Sequence, residues 1–398
     1  MIKLFILFIH HIYIYIIENN MASSSYYNNN NNLKELERIT SSVNDALLPS
    51  GFLEEEENNN NHVVCGVMSI ITFIWLVVFC VTGVGLGLCY EFLEIHSLHH
   101  APGAASDTFF LCLIGYWSQA LVGFLFAFTQ KNPMQGAWTN KVILMLVLSS
   151  IFDGLAQGLD FIGQVQGGYM LFTIFHSSVT LFSCIIAVFV VQAKISSIQW
   201  FGILLVIVGL FATAVPNPIA APGSFTIGLV CSLVGSFFLA ASYPFSEKVF
   251  RIGRETLKGP VKEETACFFG ALINAAIYTI YTFIHTIPRW QNEIVDYIKP
   301  GNTFYVILGY VLYGILVGLH SLSFWKSVNK IGTVPTAVAK GAQQAGVFIV
   351  SHIVYCSIDK NECMFYNHGN TLWNKMQKSV AAILCVIGVV VYAMSKKK

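Results

Sequence analysis

The sequence has little charge and lacks two familiar signatures. Asp, Glu, Lys and Arg make up 11% of its 398 residues, against about a quarter in soluble domains. The net charge of +1 gives no chain-wide attraction for nucleic acid. There is no Asn-x-Ser/Thr glycosylation acceptor and no phosphate-binding G-x-x-x-x-G-K-S/T loop. These absences exclude an ordinary soluble domain and a nucleic-acid partner, and they leave ATP-driven pumping without a motif.

Apolar residues take the place of charge. They make up 55% of the chain and fall in long blocks. Of the ten cysteines, all but Cys363 lie within or at the ends of these blocks, where cysteine serves as a small buried hydrophobe and not as part of a disulfide framework. The composition therefore predicts an all-α polytopic membrane protein.

About 20 apolar residues cross a bilayer as a helix, and by that measure the sequence predicts ten transmembrane helices. Their approximate boundaries are 63–90, 107–129, 141–163, 167–191, 198–216, 225–245, 265–287, 303–325, 333–356 and 377–394. The connections at 164–168 and 192–197 are predicted to be turns, so the spans that they join form antiparallel hairpins.

The first 62 residues have too little apolar content to fold alone, which predicts a disordered cytosolic tail at 1–62. Residues 4–17 are an apolar run that is short for a span and suits a signal anchor. Met21 opens a polar run typical of a cytosolic amino terminus. Residues 1–20 are thus either an upstream extension or a signal anchor, and we favour a start at Met21.

Basic residues predict the orientation. With both ends in the cytosol and the tail at 1–62 left aside, 13 Lys and Arg fall on the inner side of the spans and 5 on the outer side, which is the bias of the positive-inside rule. Residues 396–398 form a basic cytosolic carboxyl terminus. This "SKKK" ending is close to a dilysine retrieval signal but lacks the two residues that usually follow the pair. We expect an endomembrane location (Golgi, endoplasmic reticulum or vacuole) in preference to the plasma membrane.

The chain also looks duplicated. Residues 172–210 have a faint counterpart in spans nine and ten, because both pairs have a Gln near the start of the last span and an Ile-Val-Gly or Val-Ile-Gly near its end. Five spans per half is an odd number, so the halves 63–216 and 217–395 would have opposite orientations. Many secondary carriers are built from such inverted repeats, with the substrate site between them at the bilayer midplane.

Span three carries a polar stripe within an apolar stretch. Its four members are Asp153, Gln157, Asp160 and Gln164, which share an arc of about 60° on a helix. An Asp at the bilayer centre costs about 2.5–3.5 kcal/mol on insertion scales, which predicts that the stripe faces away from lipid. It either borders a hydrated cavity that binds cations or protons, or it is neutralised by internal pairing.

Lys340 is the only Lys or Arg in the middle of a span, and Gln343 and Gln344 follow it. An ammonium there suits a phosphate or carboxylate ligand. The alternative is an internal ion pair with Asp153 or Asp160.

Further polar residues in the spans could line the same cavity, and the strongest of them as a binding residue is His176 in span four. The others are Gln119, Asn274, Ser177, Ser178 and His320. For each residue the alternative is a helix-to-helix hydrogen bond worth about 0.6 kcal/mol.

One motif suggests metal chemistry. The "HSLHH" run at 96–100 has the H-x-x-H-H spacing of the histidine boxes of membrane di-iron desaturases. It stands alone and is predicted on the outer side, whereas those enzymes use several boxes on the cytosolic face. We therefore expect no metal or other cofactor and no enzymatic activity.

The ten spans, the short hairpins, the doubled plan and residues 177–210 together resemble the drug/metabolite transporter superfamily. This superfamily includes the EamA-type carriers and the nucleotide-sugar and triose-phosphate transporters. The specific likeness is to the "QWxGIxLxxxG" start of its fifth span. The matching residues are Gln199, Trp200, Gly202, Ile203 and Gly209.

The resemblance implies alternating access, with spans three, four, eight and nine along the path. In the nucleotide-sugar and sugar-phosphate carriers a lysine of span nine contacts the anionic part of the ligand, and Lys340 has a comparable place. The "AKGAQQAG" around it differs from the Gly-x-x-Asn-Lys arrangement of nucleotide-sugar transporters. A vacuolar or lysosomal carrier of amino acids, peptides or drugs, of the chloroquine-resistance type, is therefore an alternative.

These observations predict a secondary-active carrier of a small organic solute, which is a metabolite, a sugar phosphate or nucleotide sugar, or a cationic compound. Its expected partners are that solute, the lipid bilayer and protons as the coupling ion. Whether the protein forms a homodimer is left undecided by the sequence. The alternative from another class is a membrane scaffold or receptor that transports nothing.

Overall fold

The computed structural model describes most of the residues from 63 to 355 and a few beyond. The described residues are 63–64, 68–97, 108–130, 132–167, 172, 175–176, 178–214, 225–256, 258–355, 380, 384, 387–388 and 391–392. The predicted tail at 1–62 lies outside them, as do most residues of the predicted tenth span.

Nine α-helices have both of their ends among the described residues, and a few described residues outside them, at 172, 175–176 and from 380 on, are also helical. The nine helices are α1 (Ile70–Ile95), α2 (Phe110–Phe128), α3 (Asn140–Gly167), α4 (Val179–Val190), α5 (Ser197–Ala214), α6 (Phe225–Arg254), α7 (Glu263–Tyr281), α8 (Thr303–Ile331) and α9 (Thr333–Tyr355). After α7 the chain continues in a π-helical turn, Thr282–Thr286, a 3-10 turn, Ile287–Arg289, and a second π-helical turn, Gln291–Val295.

A two-stranded ribbon precedes α1. Strand β1 (Val63–Val64) pairs antiparallel with β2 (Met68–Ser69). The prediction of a helix from residue 63 was therefore wrong at its start, and β-branched valines do favour extended backbone. The helix begins where a cap is available, because the Ser69 hydroxyl accepts a hydrogen bond from the Thr72 amide at 3.2 Å.

Six of the described helices are long and apolar enough to cross a membrane: α1, α2, α3, α6, α7 with its following turns, and α8. Large apolar side chains lie on the outer surface, such as Phe189, Phe283 and Phe304, which are 79%, 65% and 70% exposed. These features are compatible with an integral multi-pass membrane protein. Helices α4 and α5 are shorter, and the count of ten spans stays a prediction.

The turn predicted at 164–168 was wrong for the part that is described, since α3 continues to Gly167. The reason is its packing. A Cβ at Gly163 would lie 2.3 Å from Ser232 Oγ of α6, so α6 packs closely against the last turns of α3. Tertiary packing of this kind supplies most of the stability of a helix.

The turn predicted at 192–197 is confirmed as a short non-helical connection that ends where α5 begins. Gln192 takes a left-handed conformation there, with φ 53°. The Gln199 amide donates to Ser196 Oγ at 3.3 Å, and the Ser196 amide donates to Gln199 Oε1 at 2.9 Å. This is a capping box, and it gives Gln199 of the "QW" sequence a structural role.

Helix α6 is longer than its predicted span, because the basic residues predicted in the following loop are helical. Lys248 Nζ donates to the Val190 carbonyl at 3.3 Å, and Arg251 donates to the Val191 carbonyl. These carbonyls end α4 and have no partner within that helix. Cations at such a terminus also interact favourably with the helix dipole.

The chain divides into two compact units, Met1–Ile74 and Trp75–Lys398, and every contact between helices described from here on lies within the second. Helix α3 packs along α6, α2 packs on α7 and α8, and α4 packs on α6 and α9. Helix α1 meets α8 where Cys89 Sγ lies 3.2 Å from the Gly309 carbonyl. It meets α9 where Gln343 covers Gly83.

The closest approach of α2 and α7 depends on Gly123. A Cβ there would lie 2.7 Å from the Phe268 amide nitrogen and 3.2 Å from the Glu264 carbonyl oxygen, and both are backbone atoms. Gly123→Ala is expected to destabilise the protein by about 1–3 kcal/mol, because it forces the backbones apart. Unfolding of the purified protein by denaturant would measure the change.

Gly115 of the same helix is the matched control. Its nearest neighbour would be Val317 Cγ1 at 3.6 Å, an ordinary contact, so Gly115→Ala should be neutral or stabilise by up to about 1 kcal/mol through helix propensity. Equal effects of the two substitutions would contradict the packing described for Gly123.

Candidate functional site

A cavity of about 190 Å³ lies among the helices of the second unit. Side chains of α1, α2, α3, α6, α7, α8 and α9 line it, together with residues 172 and 176 before α4. The structure brings all eight residues predicted from the sequence to this one cavity. They are Asp153, Gln157, Asp160, Gln164, His176, Lys340, Gln343 and Gln344. Their role in binding stays a prediction.

Asp153 is half-buried on α3 and held by a tyrosine of α2. Tyr116 Oη donates to Asp153 Oδ2 at 2.7 Å. The Tyr116 ring stacks on Tyr278 of α7, with 5.5 Å between ring centroids and 11° between planes. Tyr278 Oη in turn donates to the Gly154 carbonyl at 2.8 Å. The Asp153 carboxylate is thus oriented by a chain of aromatic side chains, and it can present a fixed negative charge to the cavity.

Asp160 lies two turns further along α3 and is only 3% exposed. Its Oδ2 is 3.1 Å from His176 Nδ1. The contact is close but poorly directed, and neither Asp160 oxygen has a hydrogen-bond partner among the described residues. Helix α6 covers the other side, because a Cβ at Gly235 would lie 2.4 Å from Asp160 Oδ1. The described residues therefore leave this buried carboxylate without hydrogen-bond donors.

Lys340 is half-buried on α9. It is near enough to Asp153 and Asp160 to interact with them electrostatically, yet no carboxylate of the described residues lies within the 4.0 Å of an ion pair. The direct Lys340–Asp pair considered from the sequence is thus not formed in this part of the chain. The ammonium lines the cavity at a distance from both carboxylates.

Amide side chains add uncharged donors and acceptors to the wall. Gln157 and Gln164 lie on the same face of α3 as the two carboxylates, and Gln344 is buried on α9. Gln343 lies over Gly83, where a Cβ would be 1.6 Å from its Nε2. Among the described residues, Gln164 Oε1 and Gln343 Oε1 have no hydrogen-bond partner. Such groups are available to a polar ligand.

Of the other polar residues in the spans, some line the cavity and others make hydrogen bonds within the helical bundle. Asn274 makes a helix-to-helix hydrogen bond, donating to the Ser150 carbonyl at 2.8 Å, and does not line the cavity. Ser178 bonds locally, to the Phe175 carbonyl. Gln119 and His320 line the cavity. The side chain of Ser177 lies outside the described residues.

His320 is held on two sides. Its Nδ1 lies 3.1 Å from the Phe79 carbonyl and 3.2 Å from Thr82 Oγ1. Its ring stacks on Phe79, with 4.5 Å between centroids. The imidazole is therefore fixed in position against α1 while it borders the cavity.

Sequence reasoning missed the aromatic and hydroxyl part of the wall. The aromatic members are Tyr90, Phe161, Phe172, Tyr243, Tyr313, Phe324 and Trp325, and the hydroxyl members include Ser149, Ser242 and Ser246. A usable signal was the i, i+4 pair of serines on α6, because the Ser149 hydroxyl bonds to the Ser242 carbonyl and to the Ser246 hydroxyl. The aromatic residues carried no signal, because such side chains fit lipid, core and cavity equally well.

The histidine run at 96–100 is described only as far as Ser97. The His96 ring stacks on Tyr305, with 4.8 Å between centroids, and burial and the nearby Lys299 ammonium lower the pKa of the His96 imidazole. His99 and His100 lie outside the described residues. Within the described ranges, no group of three His, Cys, Asp or Glu side chains is placed to hold a metal.

A charged contact lies apart from the cavity, at the ends of α7 and α8 that are predicted to be cytosolic. Lys326 Nζ donates to Glu264 Oε1 and lies 4.9 Å from the centroid of the Trp75 ring. The Glu264 and Lys326 side chains are 3% and 17% exposed. Beside them Asn329 donates to Glu263 at 2.6 Å. This buried ion pair ties the start of α7 to the last turns of α8.

Comparison with known proteins adds information on the fold alone. No family model and no curated protein matches the chain. Several solved structures match, and one of them, described as "Crystal structure of protein", superposes with a TM-score of 0.53 and 14% sequence identity over 80% of this chain and 98% of its own. At that identity the likeness shows a shared helical fold and nothing about activity.

Proposed function

We propose that this protein is a secondary-active carrier of a small organic solute that works by alternating access. One observation carries the proposal: two carboxylates, one ammonium and two imidazoles converge on a single cavity inside a bundle with an apolar outer surface. Ionisable groups at membrane depth are costly, and they typically mark a solute or ion pathway. A cavity between helices, with polar groups on an aromatic wall, is typical of a small-molecule site.

Two glycine pairs support the proposed inverted repeat of 63–216 and 217–395. On α3, Gly154 and Gly158 lie against Asn274 and Tyr278 of α7. On α8, Gly314 and Gly318 lie against Ser118 and Val122 of α2. Duplication makes α8 the counterpart of α3 and α7 the counterpart of α2. Under that correspondence the two contacts are the same contact made twice.

The helix pairs follow the same correspondence. The packing of α3 on α6 has its counterpart in α8 on α1, and α4 on α6 has its counterpart in α9 on α1. Inverted repeats of this kind place a binding site between them at the midplane. Together with the "QW" sequence, this pattern supports membership of the drug/metabolite transporter superfamily and transport as the proposed activity.

The test is uptake by the full chain in proteoliposomes supplied with a mixed metabolite pool, compared with empty liposomes. Asp153→Asn removes the carboxylate that Tyr116 orients toward the cavity, and we expect uptake of the accumulated solute to fall by about 10-fold or more. The physical reason is the loss of a charge-assisted hydrogen bond of about 1.5–3 kcal/mol, and every 1.4 kcal/mol is about tenfold.

Glu255→Gln is the matched control, because it neutralises an exposed carboxylate after α6 that does not line the cavity. It should transport like the wild type. If the wild type accumulates no solute under any imposed ion gradient, the carrier proposal is overturned in favour of a scaffold or receptor.

A further inference from the structure

The two carboxylates of the cavity have different surroundings. Asp153 is half-buried and receives the Tyr116 hydroxyl at 2.7 Å. Asp160 is 3% exposed, and both of its oxygens lack hydrogen-bond partners among the described residues. A charged carboxylate is stable in a dry site only when donors or a counter-charge replace its water. The Asp153 carboxylate has such a donor, whereas Asp160 has only the contact with His176.

The groups near Asp160 come from several surrounding elements. His176, before α4, lies 3.1 Å away. Gly235 of α6 presents backbone only. Asp153 of its own helix, Cys112 of α2 and Lys340 of α9 interact with it electrostatically at longer range, and His320 of α8 interacts in the same way with His176. Of these groups, His176 is the titratable one in contact with Asp160.

We propose that the Asp160–His176 pair is the binding site for a coupling proton, separate from the solute-facing Asp153 and Lys340. This inference rests on the proposed function and names its coupling ion. The proton binds at an Asp160 carboxylate oxygen, or is shared with His176 Nδ1, and no bond between heavy atoms forms or breaks. The pair thereby passes from one net negative charge to none.

The charge balance of the cavity shows why a proton bound there would be coupled to transport. With Asp160 neutral, the Asp153 carboxylate and the Lys340 ammonium balance each other. With Asp160 ionised, the cavity carries one excess negative charge in an apolar bundle, which is unfavourable without access to water. Proton loading therefore favours the closed forms of the cavity, and proton release requires an opening to one side.

The pair can be tested without knowledge of the solute. Infrared difference spectra of the purified full chain, taken between acidic and alkaline buffer, report the carbonyl stretch of a protonated carboxylic acid. We expect such a band in the wild type, its loss in Asp160→Asn and its retention in Asp153→Asn. Asp160→Glu keeps a carboxyl group at this position, so we expect it to show a carbonyl band that titrates at a changed frequency. That result would show that loss of the band in Asp160→Asn does not come from a folding defect. Retention of the wild-type band in Asp160→Asn would overturn the proposal.

Transport separates the failure of this inference from the failure of the proposed function. In proteoliposomes with the metabolite pool, we expect a proton gradient of one direction to increase wild-type uptake several-fold over the same vesicles without a gradient. For Asp160→Asn and His176→Gln we expect the same uptake with the proton gradient as without it. The proton site is contradicted if no proton gradient changes wild-type uptake. It is also contradicted if the gradient increases uptake by both variants as much as it increases wild-type uptake. Either result leaves the carrier proposal intact. Absence of any wild-type uptake removes the carrier itself.

Discussion

Lys326→Met is expected to lower the free energy of unfolding by about 3–5 kcal/mol, because it leaves the Glu264 carboxylate buried without its partner. Glu264 is 2% exposed, and the bond from Lys326 is its only charged contact among the described residues. The substitution also removes the cation from the Trp75 ring. Reversible unfolding of the purified protein in detergent, followed by tryptophan fluorescence, measures the loss.

Two further variants show whether the cause is the unpaired charge. Lys330→Met, at an exposed position one turn along the same helix, should leave stability within about 0.5 kcal/mol of the wild type. The double variant Glu264→Gln, Lys326→Met removes both charges and should recover most of the loss. A double variant as unstable as the single one would mean that packing of the lysine stem, and not charge, holds α7 to α8.

Lys340→Met is expected to reduce uptake of the metabolite pool by about 10-fold or more, because it removes the only ammonium among the groups described around the cavity. A charge-assisted bond to an anionic part of the solute is worth about 1.5–3 kcal/mol. Lys330→Met serves again as the control, since it removes an exposed ammonium outside the cavity. Initial rates in proteoliposomes provide the comparison.

The double variant Lys340→Met, Asp153→Asn distinguishes the two roles considered for Lys340. An internal pair would let the second substitution restore transport, because it removes the charge left uncompensated by the first. In the structure no carboxylate of the described residues lies within 4.0 Å of this ammonium, so we expect no restoration. Recovery to near the wild-type rate would instead identify Lys340 as a structural counter-charge of Asp153.

The polar stripe of α3 could be predicted from the sequence because an ionisable group in an apolar run has few favourable surroundings. Helical spacing places Asp153 and Asp160 on one face, and a helix at membrane depth cannot turn that face to lipid at low cost. The same reasoning found Lys340. In each case the argument needs only the local sequence and the solvent.

The element boundaries were less predictable, because neighbours decide them. The sequence predicts that the third span ends at residue 163, yet α3 continues to Gly167, where Ser232 packs against Gly163. Residues 63–69 read as membrane-apolar, yet Val63–Val64 pairs with Met68–Ser69 in a ribbon. Hydropathy measures the transfer of a residue to lipid, and it does not include packing against another helix or pairing with another strand.

By itself, the sequence determined that this is a helical, membrane-compatible chain with charged groups inside, since low charge, long apolar blocks and helical spacing are local properties. Only the tertiary structure decided that eight residues from three separate stretches of the sequence share one cavity, that Asp160 contacts His176 and that Lys340 pairs with neither carboxylate. Those outcomes depend on how close two helices come, and that distance is set by where small residues such as Gly83 and Gly235 meet a neighbouring side chain.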